Sequence, residues 1–128
     1  MSENKTYRNR CQFSGRLVKD VEVQSIAEGK DAIFFTIAVN NDYKKGNEWI
    51  HDTLFLDCSA FDEKTIKLAG YMKKGKEVVV YGRLKMSEYF SAKYQHNVKK
   101  PFLLVGAVDV MLNFNQPADT QQIADIFS

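Results

Sequence analysis

Residues 49–61 read WIHDTLFLDCSAF, and they divide into two unlike faces. Under strict alternation Leu54, Leu56, Cys58 and Ala60 lie on one side and Phe55, Asp57, Ser59 and Phe61 on the other, the signature of a β-strand with one side in a core. Two aromatic rings therefore share a side with an acid and a hydroxyl. A ring on a wet face gains little unless something covers it, which makes this side the informative one.

Working outward from that strand, residues 32–39 (AIFFTIAV) are β-branched and aromatic enough to form a second strand, and the polar stretch 20–30, with Gly29, reads as a connection. Residues 10–17 alternate Cys11, Phe13, Gly15 and Leu17 with Arg10, Gln12, Ser14 and Arg16, a first half-buried strand. The segment NNDYKKGNE, 40–48, is an exposed loop. On the C-terminal side, Asp62 is placed to N-cap a short helix, with Glu63 in its first turn, Ile66, Ala69 and Met72 at helical spacing, and Lys73, Lys74 and Gly75 at its end. A fourth strand covers 77–85 (EVVVYGRLK), a polar hairpin arm 87–100, and a fifth strand 101–112, whose proline stands at the start where a missing N–H is tolerated. The order is βββαββ. That predicts an all-β chain with one short helix, a five-stranded OB-type barrel over 9–112, preceded by an extension, 1–8, and followed by a flexible tail, 113–128.

Composition agrees with one packed domain: 128 residues, 45% hydrophobic and 27% charged. The longest apolar stretch, 101–112, is interrupted by Gly106 and Asp109 and is too short to span a bilayer, and the opening MSENKTYRNR lacks the apolar region of a secretory signal. A cytoplasmic protein is expected. Cys11 and Cys58 then remain thiols and read as small core residues. With His51 and His96 they show none of the close pairings that zinc sites use, so no metal and no cofactor is expected. The net charge is +2, but the tail holds two of the 16 acids, Asp119 and Asp125, and none of the 18 bases, leaving a body of +4. Such a body can attract an anionic polymer, though an excess this small does not by itself demonstrate one.

The parity of the fourth strand and its extension places Tyr81, Arg83, Lys85, Ser87 and Tyr89 on one side, so rings and cations interleave. Rings offer stacking platforms to bases of any identity, and cations between them neutralise phosphates. The arrangement selects unpaired strands, because a base inside a duplex has both faces occupied. Tyr43, Lys44, Lys45 and Trp49 add the same mixture at the rim. Taken singly, each ring is equally compatible with a core or cross-strand pair, and the lysine pairs 44–45, 73–74 and 99–100 with ordinary solvated surface. Glu22, Asp42, Asp57 and Asp62 form no recognisable metal or acid–base set, and no phosphate-binding loop or nucleophile motif occurs. The chain is not expected to be an enzyme.

Several motifs in order resemble the bacterial and phage single-stranded-DNA-binding proteins: Asn9-Arg10, Gly15-Arg16-Leu17, Asp20, FTIAVNNDY at 35–43, TLFLDCSAF at 53–61, YMKKGKEVVVYGRL at 71–84, and Tyr89. The resemblance covers about residues 9–112. It implies base stacking on Tyr43, Phe55, Phe61 and Tyr89 and phosphate contacts from Arg10, Lys44 and Lys85; the residue patterning adds Trp49 and Arg83. It implies sequence-tolerant binding that protects single-stranded DNA in replication, recombination or repair, by a homo-oligomer, a tetramer rather than a dimer. Ser87 and Glu88 stand where the family often has cations, and stacking rings that are commonly tryptophan are smaller here, which implies weaker, more salt-sensitive binding. The end, Asp125-Ile126-Phe127-Ser128, resembles the acidic Ile-Pro-Phe tip with which the family recruits replication proteins, without the proline and most of the acid. The same residues also read as an amphipathic end that docks on its own barrel. An RNA-binding or primosome-type OB protein using the same groove is the alternative function.

Overall fold

A computed structural model describes residues 7–111. The first strand, β1 (Cys11–Leu17), pairs antiparallel with β7 (Glu77–Ser91) along most of its length and with β3 (Lys30–Asn40) at its end, where Arg16 faces Ala38 and Leu17 faces Ile37. From β3 the ladder passes to β6 (Thr53–Ala60), then by a short parallel pairing to β8 (His96–Val110), and back to β7. The β1–β3 pairing closes this circuit, giving the five-stranded OB-type barrel that the element order predicts.

Alternation fills it. Ile33, Phe35 and Ile37 of β3, Leu56 and Cys58 of β6, Val78 and Val80 of β7, and Leu103 and Val105 of β8 are all buried in one cluster with Leu17 and Met72. Two glycines make closure possible. A Cβ on Gly15 would stand 2.6 Å from the carbonyl oxygen of Ala38, and one on Gly82 would run into the carbonyl of Leu104, so at both places backbone packs where a side chain would sit. Beside Gly82 the β7–β8 register slips by one residue: Tyr81 faces Ala107 and Gly82 faces Val105, leaving Gly106 as a bulge in β8. The alternation of β7 continues unbroken.

Four features differ from the sequence reading. The polar connection 20–30 contains β2 (Val23–Ala27), a hairpin strand against β3 turned by Gly29 at a φ of 71°. All five of its residues are exposed, so the backbone ladder holds it and no hydrophobic alternation announces it. The loop 40–48 and the start of the expected third strand form a small hairpin, β4 (Tyr43–Lys45) and β5 (Glu48–Ile50), around Gly46 at a φ of 63°; the core strand itself begins at Thr53. The expected arm is regular strand, with β7 and β8 paired out to Ser91 and His96. Finally, the helix breaks in two: α1 (Glu63–Ile66), then a 3-10 turn over Ala69–Tyr71. Its cap is as predicted, Asp62 Oδ2 accepting from Thr65 N at 3.0 Å and Thr65 Oγ1 at 2.8 Å, and Ala69 and Met72 are buried.

Candidate nucleic-acid interface

The outward sides of β3, β6, β8 and β7 form one continuous sheet face. Its rows follow from the register: Phe34 faces Ser59, Ser59 faces Leu104, and Leu104 faces Arg83. Continuing the β1–β7 register by one residue past Cys11 and Gly82 sets Arg10 opposite Arg83. Asn9 extends that pairing through its side chain, donating to Leu84 O at 2.9 Å and accepting from Leu84 N at 3.0 Å. A second row runs from Thr36 to Asp57 and from Phe102 to Lys85; beyond it Lys100 faces Ser87 and Val98 faces Tyr89.

The rings predicted from strand parity stand on this face. Phe55 is 62% exposed, and Phe61 and Tyr89 are also exposed. Phe61 meets the ring of Phe34 edge to face, centroids 6.0 Å apart at 82°. Arg10, Arg83 and Lys85 line the β1–β7 side, and among the described residues none of the three makes an ion pair. Shallow clefts join these parts: Phe61, Arg83 and Leu104 border one, and Arg10, Tyr81 and Arg83 the next. Tyr81 is tied down at its tip, its hydroxyl donating to Asp109 Oδ2 at 3.0 Å, which holds the phenol above its ordinary pKa.

The rim residues are placed differently. Tyr43, Lys44 and Trp49 all lie on the β4–β5 hairpin, a separate two-stranded sheet. Lys44 faces Trp49 across it and Tyr43 faces Ile50, so Tyr43 and Lys44 leave opposite faces of the hairpin and do not line one surface together. Its base is pinned by Asp42, whose Oδ2 lies 3.0 Å from His51 Nδ1 and whose Oδ1 accepts from Asp52 N at 3.1 Å; the hydrogen bond with His51, then that from Asp52, lowers the Asp42 pKa.

Thr36, Phe34, Phe102 and Lys100 belong to the same face and are missed in the sequence reading, although Phe34 and Thr36 alternate with buried Ile33, Phe35 and Ile37, a signal that could have found them. Lys100 Nζ lies 2.7 Å from Asp57 Oδ2, and Thr36 Oγ1 donates to Asp57 Oδ1 at 2.9 Å. The Lys100 contact is the main reason the Asp57 carboxyl sits below its ordinary pKa, against partial burial and with help from Thr36. The hairpin register sets Lys100 opposite Ser87, and its partner on β6 is visible only once the strands are assembled.

The two cysteines are free; Cys58 is buried, its thiol pushed up to about 12, and Cys11 is partly buried against the core. Among the described residues no group of three or more His, Cys, Asp or Glu is placed to hold a metal ion, and no helix is long and apolar enough to cross a membrane. Asp125, Ile126 and Phe127, the expected partner-binding tip, lie outside the described residues.

Residues 8–111 match the model of the Single-strand binding protein family. The chain belongs to that family. It is 35% identical over 117 residues to a single-stranded DNA-binding protein of Borreliella burgdorferi, covering 91% of this chain and 76% of the relative. A Treponema pallidum single-stranded DNA-binding protein is 30% identical over 81 residues, and there the match spans 46% of the relative's length. Among solved structures, a Plasmodium falciparum SSB complex with ssDNA superposes with a TM-score of 0.73 at 19% identity, covering 85% of this chain and 97% of that one. A small single-stranded DNA-binding protein from Streptomyces coelicolor gives 0.66 at 21% identity, covering 80% and 94%. At these identities the likeness is one of fold, and the fold is the OB barrel of the family.

Proposed function

We infer that this protein binds single-stranded DNA without strong sequence preference, protecting it during replication, recombination or repair, and that the outer face of β3, β6, β8 and β7 is the surface on which the strand lies. Family membership supports the activity. One observation carries the location: exposed Phe55, Phe61 and Tyr89 share a continuous face with Arg83 and Lys85. Stacking on such rings needs unpaired bases and tolerates all of them, while phosphate contacts carry no sequence information. Arg10 extends the cationic side, and Lys44 with Trp49, or Tyr43 from the opposite face, extends the surface at the rim.

On this reading the chain is a binding protein and not an enzyme, acting in the cytoplasm of a bacterial cell or a phage-infected host. Residues 9–112 are its DNA-binding unit and 1–8 and 113–128 its flanks. Assembly into a homo-oligomer, a tetramer rather than a dimer, and recruitment of replication or recombination proteins through Asp125, Ile126 and Phe127 follow from the sequence resemblance. The test is titration of a fluorescent oligo-dT against a duplex of equal length and against oligo-U at physiological salt. Much tighter binding of oligo-dT than of duplex is expected; equal affinity would remove the face from consideration, and tighter binding of oligo-U would make RNA the ligand.

A further inference from the structure

Apart from the rim hairpin, four cations stand on or beside the proposed DNA face, and one of them differs from the rest. Among the described residues Arg10, Arg83 and Lys85 have no carboxylate partner, whereas Lys100 sits 2.7 Å from Asp57. The acid is fixed from both sides: Thr36 on β3 donates to one oxygen and Lys100 on β8 approaches the other, so the three residues span three strands of the face. Phe55 lies two positions before Asp57 and Phe61 four beyond it, with Phe102 in the neighbouring strand. A bare carboxylate there would repel phosphate, and a bare ammonium would draw it in among the rings. Held together they cancel beyond a few ångströms, at a surface where an ion pair contributes little to stability.

We infer that Asp57 and Lys100 act as one neutral unit that keeps phosphates off the middle of the sheet, confining the DNA backbone to the lane of Arg10, Arg83 and Lys85 and leaving the centre to the bases. This rests on the reading that the outer face binds single-stranded DNA. Asp57 is thereby a positioning residue: it sets which lysine is available to phosphate rather than contacting the backbone itself. The lowered Asp57 pKa keeps the unit charged on both members, hence neutral in sum, throughout the physiological range.

The unit has a readout that an aromatic or merely structural role would not move. For single strands log K falls with log salt by about 0.7 per neutralised phosphate. Asp57→Asn preserves an acceptor for Thr36 and frees Lys100, so the slope should steepen by about 0.7, an extra loss of about 2.6-fold between 50 and 200 mM salt. The double variant Asp57→Asn/Lys100→Gln should return to the wild-type slope, while Lys85→Ala should flatten it by about 0.7. Salt titrations on oligo-dT with these variants, each checked for a native melt, decide the matter. Asp57→Ser makes the same charge change should the amide disturb Thr36. An unchanged slope in the single variant with a flattened slope in the double one would show that Lys100 already neutralises a phosphate, and would overturn the proposal. Failure of the underlying reading looks different: wild type would not prefer oligo-dT to duplex, and Lys85→Ala would leave the slope where it was.

Discussion

Replacing Phe55 by alanine separates the two roles that an aromatic residue in a strand can play. The ring is 62% exposed, so only about two-fifths of its surface is covered by the barrel. Complete burial of such a side chain is worth ~1.5–3 kcal/mol, which scales here to roughly 0.6–1.1 kcal/mol of lost folding stability. Removing a base-stacking ring costs about 1–3 kcal/mol of binding, a weakening of about 5- to 150-fold in Kd. Leu103, 0% exposed on the inner side of β8, supplies the opposite case. Its truncation to alanine should cost ~2–5 kcal/mol of stability while leaving the affinity of the folded fraction near wild type. Urea denaturation gives the stability of each variant, and fluorescence anisotropy on labelled oligo-dT gives the affinity. The reasoning fails if Phe55→Ala destabilises as Leu103→Ala does, or if it binds oligo-dT as tightly as wild type.

Two further outcomes follow from the backbone and from the acids. Gly82→Ala should lose ~1–3 kcal/mol in urea denaturation because its Cβ meets the Leu104 carbonyl, whereas Gly106→Ala, whose Cβ has only the Tyr81 carbonyl oxygen at 4.0 Å, should lose much less; equal losses would contradict the close approach at Gly82. Hydrogen bonds from His51 and Lys100 hold the Asp42 and Asp57 carboxyls below their ordinary range in the folded protein, so the stability they contribute is fully present above the ordinary carboxylate pKa and is lost as pH falls through their lowered values. Thermal melts between pH 7 and pH 2 should therefore fall less steeply for Asp57→Asn and Asp42→Asn than for wild type, and parallel curves would show that neither pairing persists in solution.

The barrel was legible because its strands alternate. Leu56, Cys58 and Ala60 are buried and Phe55 and Phe61 exposed, as the parity of 53–61 requires, and Asp62 caps its helix as its position suggests. Alternation has limits at both ends of burial. β2 has no buried residue, so nothing in its pattern distinguishes it from a polar connection. Leu54 and Leu84 have inward parity yet are exposed, because strand pairing continues where the barrel interior has ended. On the face itself, Phe55, Phe61, Arg83, Lys85 and Tyr89 were readable from single strands. The Thr36–Asp57–Lys100 chain was not, since its members are 21 and 43 positions apart and only the β3–β6 and β6–β8 pairings bring them together. Sequence adjacency groups Lys44 with Tyr43 at the rim, but adjacent residues in a strand point apart.

The bulge at Gly106 gives β8 something like a reading frame. On its N-terminal side the inward residues are Leu103 and Val105, and on its C-terminal side Val108 and Val110, odd numbers exchanged for even at a single unpaired position. Deleting one residue between them would turn the earlier part of the strand over, sending Phe102 and Leu104 into the interior and Leu103 and Val105 into solvent. The length of this segment is therefore as tightly specified as its composition. Past Lys100 and Ser87 the constraint relaxes, because the paired strands there enclose nothing. That hairpin can therefore be lengthened or shortened below Tyr89 in matched steps of two residues on each strand and still leave the ring on the same side as the barrel's outer face.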